Sequence, residues 1–326
     1  MTYRQIVNRG DLDALVIGAG VSGLTTAVCL AETGLRVNIW AADPPASTTS
    51  VAAGAMWGPY LAEPLDRVRR WSHQTLAELR QLATNPNTGV RLVHGIEASR
   101  AVAAPPDWAE QLDGFKICEP RELPDGFATG WRFTAPIIDM PTYLGYLHQR
   151  FTAAGGAMHL RRLRSFDEAI NAAPVLVNCT GLGARELVPD PDLTPIRGQL
   201  VVVSNPGITE FFTEDTGLSP DLVHIYPQGN TAVLGGQAAP GQAALEPDLN
   251  VAAAILLRCR AVEPRLLHAR IIGHRVGLRP ARPRIRLDAQ RVAGTRLIHN
   301  YGHGGAGVTL SWGCAREISS MMATDA

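Results

Sequence analysis

The chain has 326 residues, enough for about two domains of ~150 residues and for a substantial buried core. Hydrophobic residues make up 46% and charged residues 18% of it, the balance of a folded globule rather than a disordered chain. Thirty basic residues balance thirty acidic ones, so no net field draws the protein to nucleic acid or an anionic membrane, and the longest unbroken aliphatic run, Val251 to Leu257, falls well short of the ~20 residues of a membrane-spanning helix.

Lys116 is the one lysine among the 30 basic residues, so lysine-dependent chemistry has a single candidate. Ile117 follows it and no phosphate-loop GxxxxGK[ST] pattern surrounds it, which removes the usual ATPase and GTPase readings. The five cysteines, Cys29, Cys118, Cys179, Cys259 and Cys314, are widely spaced and form no CxxC pair. They read as reduced, mostly buried thiols, and no metal site is expected. The opening MTYRQIVNRGDLD has no apolar stretch of signal-peptide length and the closing MMATDA lacks the peroxisomal tripeptide, so a cytoplasmic location is expected.

Asp13 to Ile17 reads as a short apolar strand ending at Gly18. Leu24, Ala27, Val28 and Ala31 then fall on one face of a helix that Gly34 stops, and Val37 and Ile39 alternate with polar neighbours in a second strand before Pro44-Pro45. This is a βαβ unit. Residues 67 to 83 and Tyr143 to Ala154 carry helical patterns, Val175 to Cys179 is a further apolar strand, and Thr180 to Gly183 a turn. From Gln199 to Gly236 β-branched residues alternate as an antiparallel sheet requires, which suggests a second domain inserted into the first. The loop from Phe211 to Asp221 is a candidate lid. Arg296 to Asn300 is strand-like, residues 302 to 307 hold four glycines, and Val308, Trp312, Ala315, Ile318 and Met322 form a helical stripe.

The turn Gly18-Ala19-Gly20-Val21-Ser22-Gly23 is a GxGxxG placed between a strand and a helix. Its first glycine permits the tight turn, its second lets a pyrophosphate approach the backbone, and its third brings helix and strand close. The exposed amides of the helix start supply positive potential for phosphate. An acid at the end of the second strand normally holds the ribose; Asp43 is the candidate, with loop capping before Pro44 as its alternative role. Both FAD and NAD suit this motif.

Three further segments, Thr48-Thr49-Ser50-Val51-Ala52-Ala53-Gly54, Asn178-Cys179-Thr180-Gly181 and His299-Asn300-Tyr301-Gly302-His303-Gly304-Gly305-Ala306-Gly307, together with Gly277-Leu278-Arg279-Pro280, resemble the D-amino-acid oxidase family of FAD enzymes. The resemblance runs from residue 13 to about residue 322. It implies an α/β fold in which a Rossmann-like FAD-binding domain, residues 1–60, 135–190 and 270–326, carries an inserted, mostly antiparallel α+β substrate domain, residues 61–134 and 191–269. It implies non-covalent FAD, with Thr48, Thr49 and Ser50 at the phosphates, Cys179, Thr180 and Gly181 at the adenosine end, and Gly54, Gly304, Gly305, Gly307, Val308 and Thr309 also against the cofactor. Ordinary loop capping is the alternative for the threonines.

By the same resemblance the substrate is a D-amino acid, mainly neutral, whose Cα hydrogen passes to the flavin, with 2-oxo acid, ammonia and hydrogen peroxide as products and dioxygen as oxidant. Arg279 matches the family's carboxylate-binding arginine, and a guanidinium offers the two-pronged donor a carboxylate needs. Its bland alternative is a solvated charge, since Arg279 is one of many arginines between 258 and 296; nucleic-acid binding by that cluster lacks interleaved aromatics. The carbonyl of Gly305 corresponds to the amine acceptor. The helix from Val308 would direct its amides at the flavin. Many relatives have a tyrosine three residues before the strand's proline, where this chain has His224, with Tyr226 next to Pro227; either could meet the carboxylate, or Tyr226 could be a core aromatic. His299 and His303 read as structural. The alternatives within the fold are D-aspartate oxidase, which wants a further cation, and glycine or sarcosine oxidase, the latter relying on a lysine over the flavin. The molecule is expected to be a monomer or homodimer without membrane or nucleic-acid partners; a catalytically silent nucleotide-binding module is the reading from outside enzymology.

Overall fold

The computed structural model describes residues 11–59, 61–214 and 221–323. In chain order the elements are β1 (Ala14–Ile17), α1 (Val21–Glu32), β2 (Val37–Ala41), α2 (Leu65–Leu82), β3 (Val90–Ser99), β4 (Lys116–Ile117), β5 (Thr129–Ile138), α3 (Met140–Ala153), β6 (Ala157–Leu160), β7 (Val175–Asn178), α4 (Ala184–Leu187), β8 (Thr194–Ser204), β9 (Phe211–Glu214), β10 (His224–Gln228), β11 (Thr231–Gly235), β12 (Ala239–Pro240), α5 (Leu249–Val262), β13 (Ile271–Val292), β14 (Thr295–His303) and α6 (Gly307–Ala323). One hydrogen-bonded sheet runs β4-β5-β3-β9-β10-β11-β8-β13-β14-β7-β1-β2-β6, with β12 paired to β8.

At one end β14, β7, β1, β2 and β6 are parallel. The unbroken apolar run Ala14–Ile17 suits a strand covered on both faces. Alternation divides it: Ala14 and Val16 join the cluster under α1, while Leu15 and Ile17 pack with Trp40, Leu163, Phe166 and Leu297 on the reverse face. The helix layer is tight. Gly313 of α6 lies directly on the backbone of Trp71 in α2, its amide donates to Thr75 Oγ1 at 3.0 Å, and Trp312 Nε1 donates to the Tyr143 hydroxyl at 2.7 Å.

At the other end β8, β11, β10 and β9 are antiparallel, as the alternating β-branched pattern implied. Val201, Val203, Ile225, Ala232 and Leu234 face Ile255, Leu256 and Cys259 of α5. Their alternate neighbours, Leu200, Val202, Tyr226 and Val233, belong to the main core on the opposite face.

The two ends are joined by β13, which pairs with β8 from Ile271 to Ala281 and with β14 from Ala281 to Val292, with a register shift between Ala281 and Arg286. Sequence reading gave this long strand no place, because Pro280, Pro283 and a run of arginines argue against a central strand. The β3–β5 ladder was likewise unread. The candidate lid is corrected in part: Phe211–Glu214 is β9, hydrogen-bonded on both sides, and 215–220 lie outside the described residues. The boundary expected at 134/135 falls inside β5, and α2, expected with the inserted part, packs on α6.

Candidate active site

Beside the sheet runs a cleft of about 1020 Å³ that is lined at one end by Gly18 and Asp43 and at the other by His224 and Arg279. Every residue given a cofactor- or substrate-binding role from the sequence lines it except Gly23. Gly23 instead lies against the Gly18 carbonyl, so close that any side chain would collide with it.

Gly18 has φ 112°, a conformation L side chains avoid, and an added Cβ would strike the Cys179 carbonyl. The strand-to-helix turn is thus closed against β7 from below. Above it, a Cβ on Gly20 would stand 3.1 Å from Ser50 Oγ, which accepts the Val21 amide at 3.0 Å. The start of α1 therefore opens onto the cleft with one amide held by a hydroxyl and Gly20 leaving room for a ligand. Thr48 Oγ1 donates to the Pro45 carbonyl at 2.8 Å, so its proton serves the loop while its lone pairs face the cleft. Thr180 bonds Asn178 Oδ1 through both its amide and its hydroxyl, at 3.2 and 2.7 Å. Burial pushes the Cys179 thiol up to about 12, which keeps it protonated and makes it a packing residue under the glycine turn. Asp43 is exposed and stands 3.7 Å from Arg162. Arg161, Arg162 and Leu163 also line this end, placed there by β6, a short strand with no sequence signal strong enough to announce it.

The second glycine segment leaves β14 and enters α6. Gly304 donates its amide to the Pro280 carbonyl at 2.8 Å and Ala306 to the His303 carbonyl at 2.9 Å, which folds the bend back beside β13. Gly304, Gly305, Gly307, Val308 and Thr309 face the cleft, with the first turn of α6 pointing its amides there. Thr309 Oγ1 clasps Gly58, accepting its amide at 3.2 Å and donating to its carbonyl at 3.1 Å. His299 and His303 are buried, and desolvation pushes both down to about 4, so neither is charged at neutral pH. His299 Nδ1 pairs with Asn178 Nδ2 at 3.2 Å and His303 Nε2 lies 3.7 Å from Cys314 Sγ.

At the far end Arg279 donates from Nη1 to the Gln237 carbonyl at 3.0 Å and lies against Gly198 of β8. His224 and Tyr226, two residues apart on β10, both reach the cleft and share Thr213: His224 Nδ1 is 2.7 Å from Thr213 Oγ1, and the Tyr226 hydroxyl is 3.2 Å from each of the other two. Burial, then the nearby charges of Arg279 and Arg258, holds His224 down at about 4. It is a neutral hydrogen-bonding group at this end rather than a further cation. Sequence reading missed Thr213, Gly198 and Gln237, which carry no local motif; only strand register brings them to Arg279 and His224. Glu97 and Glu214, both buried, also line this wall. Among the described residues no group of three or more His, Cys, Asp or Glu is placed to hold a metal ion.

Two helix starts and two glycine bends opening on one elongated cleft, with space left at Gly20 and a guanidinium at the far end, fit a dinucleotide flavin beside an anionic substrate. The fold and cleft are those of a flavoenzyme, and the chain belongs to the family described as FAD dependent oxidoreductase, whose model matches residues 13–321. The relatives are specific. The chain is 48% identical over 310 residues to a D-amino-acid oxidase of Rubrobacter xylanophilus, covering 94% of this chain and 95% of that protein. It is 45% identical over 314 residues to a D-amino-acid oxidase of Streptomyces coelicolor, covering 95% and 97%. Among solved structures, glycine oxidase from Geobacillus kaustophilus superposes with a TM-score of 0.79 at 20% identity over 96% of this chain and 95% of that one, a likeness of fold. No helix among the described residues is long and apolar enough to cross a membrane.

Proposed function

We propose that the cleft holds non-covalent FAD with its pyrophosphate at the start of α1, its adenosine between Asp43 and the Cys179–Gly181 turn, and its flavin beside Gly304–Thr309, and that Arg279 binds the carboxylate of a D-amino acid against it. The activity is FAD-dependent oxidation of D-amino acids. The observation that carries this reading is the sharing of one cleft by Gly20, Gly305 and Arg279, residues far apart in sequence.

When bound, FAD supplies the acceptor for the electrons of the substrate Cα–H and returns them to dioxygen as hydrogen peroxide. The chain's own groups position and polarise. Arg279 offers its guanidinium to the substrate carboxylate, and the neutral His224–Thr213–Tyr226 cluster supplies hydrogen bonds beside it without adding charge. The Gly305 carbonyl accepts the substrate amine, and the first turn of α6 favours negative charge accumulating next to it. No side-chain base is required from a substrate whose amine is neutral. The 2-imino product then hydrolyses to 2-oxo acid and ammonia.

Neutral side chains are preferred over D-aspartate, because His224, beside Arg279 at the substrate end, is uncharged and adds no second cation for a side-chain carboxylate. Sarcosine-type chemistry is disfavoured by the place of the only lysine: Lys116 lies on β4, bonded to Glu122 at 3.1 Å, and is not among the residues lining the cleft. We read a division into an FAD-binding part and an inserted substrate part from strand direction, parallel among β14, β7, β1, β2 and β6 and antiparallel among β8, β11, β10 and β9. Five free cysteines accord with a reducing, cytoplasmic setting. The test is anaerobic mixing of the holoenzyme with a panel of D- and L-amino acids: bleaching of the flavin by D-alanine and D-valine, and not by the L-forms, is expected. Bleaching by L-forms alone would end the proposal.

A further inference from the structure

On β8 the residues that line the cleft are Ile196, Gly198 and Leu200; Arg197 and Gln199 alternate with them and point to the other face of the sheet. Arg197 is 3% exposed and keeps its charge, since an arginine does not deprotonate in proteins. Its acceptors are all neutral oxygens: Nε donates to the Ala244 carbonyl at 2.9 Å, Nη1 to Gln237 Oε1 at 2.8 Å, and Nη2 to Gln199 Oε1 and the Glu246 carbonyl, each at 2.8 Å. A buried cation carries a large desolvation cost, so its retention among neutral partners asks for a reason beyond packing.

Those acceptors belong mostly to one segment. Gln199 extends the grip, exchanging bonds with the backbone of Asp248 at 2.7 and 2.9 Å. Between Gln237 and Asp248 the chain has little regular structure of its own, only the two-residue β12. Its position is set by the short β12–β8 ladder, in which Ala239 faces Arg197 and Pro240 faces Ile196, and by the side chains of Arg197 and Gln199 on either side of it. At the start of that segment the Gln237 carbonyl accepts from Arg279, while the Gln237 side chain is held by Arg197. The two arginines are close across the ladder, Arg197 facing Leu278 and Ile196 facing Arg279 in register.

We propose that Arg197 is a positioning residue for substrate binding: through Gln237 it fixes the carbonyl that orients the Arg279 guanidinium, and so sets affinity for the substrate carboxylate without touching substrate. The inference rests on the carboxylate role of Arg279. A guanidinium meets a carboxylate with two parallel bonds, so a small rotation costs both at once.

The test uses holoenzyme and anaerobic rapid mixing with D-alanine, reading substrate Kd and the limiting rate of flavin reduction separately, with propionate as a competing monocarboxylate. Arg197→Met and Gln237→Ala should each raise the Kd for D-alanine between about tenfold and about a hundredfold, with a parallel loss of propionate binding, and should change the limiting rate by less than about threefold. The Arg197→Met/Arg279→Ala double variant should bind no worse than Arg279→Ala alone. If Arg197→Met does not fold, Gln237→Ala decides, since it keeps the buried charge and the backbone carbonyl and removes only the tether. An unchanged Kd in Gln237→Ala, or a loss that adds fully to that of Arg279→Ala, overturns the proposal. An unchanged Kd in Arg279→Ala itself would instead show that the carboxylate reading beneath it has failed.

Discussion

The guanidinium of Arg279 lies against the backbone of Gly198, so near that a methyl group there would stand 2.5 Å from Nη1 and 2.6 Å from Cζ. Neither residue is near the other in sequence, and the contact exists because β13 runs antiparallel to β8 with Gly277 opposite Gly198 and Arg279 opposite Ile196. Gly198→Ala should therefore push the guanidinium out of place. We expect the Kd for D-alanine to rise about tenfold or more while FAD affinity is kept, a separation that substrate and cofactor titrations of one preparation will reveal.

Arg279→Ala should abolish most substrate affinity without releasing the cofactor. Truncating one partner of a charge-assisted pair typically costs about 2–5 kcal/mol, so kcat/KM for D-alanine should fall by about thirtyfold at least. The protein should stay yellow. A variant with the wild-type Michaelis constant would remove Arg279 from the site.

Ser50→Ala deprives the Val21 amide of its acceptor at 3.0 Å. The expected loss is about 1 kcal/mol in the apoprotein, the usual cost of removing a hydroxyl from a helix start, with a several-fold weaker hold on FAD. Thermal unfolding of the apoprotein and a flavin titration read the two effects separately.

Stability should fall on mild acidification. His299 and His303 are kept neutral in the folded state, pushed down to about 4 from the ordinary 6.5 by burial. As pH drops through 6.5 the unfolded chain takes up protons that the folded chain refuses until about 4, so each imidazole shifts the balance toward unfolding across that interval. The slope should approach ~1.4 kcal/mol per pH unit for each, and it should shrink by one such increment in His303→Gln. Urea unfolding at pH 7, 6 and 5 provides the comparison; a pH-independent midpoint would contradict the burial of these rings as neutral groups.

Gly313→Ala tests the helix layer. The added methyl would collide with the Cα and carbonyl of Trp71, backbone atoms that cannot rotate away, and the Thr75 bond to the Gly313 amide would be strained. We expect about 1–3 kcal/mol of destabilisation with substrate specificity unchanged.

The nucleotide half was largely written in local sequence. The apolar run Ala14–Ile17, the GxGxxG that follows and the stripe of α1 each answer to a physical rule acting over a few residues, and the structure places them as a strand, a turn and a helix start. The glycine-rich segment before α6 was legible for the same reason. The long strand β13 was not, because its prolines and arginines contradict the local pattern of a central strand and its two halves pair with different partners.

Sequence by itself thus determined the class of chemistry: the family, its flavin cofactor and the fold that holds them. Only the tertiary structure decided what surrounds that guanidinium. Thr213, Gly198 and Gln237 follow no local pattern, and the neutrality of His224 comes from burial beside Arg279 and Arg258. Strand register and desolvation depend on contacts between residues distant along the chain, and a local pattern of residue types holds neither of them.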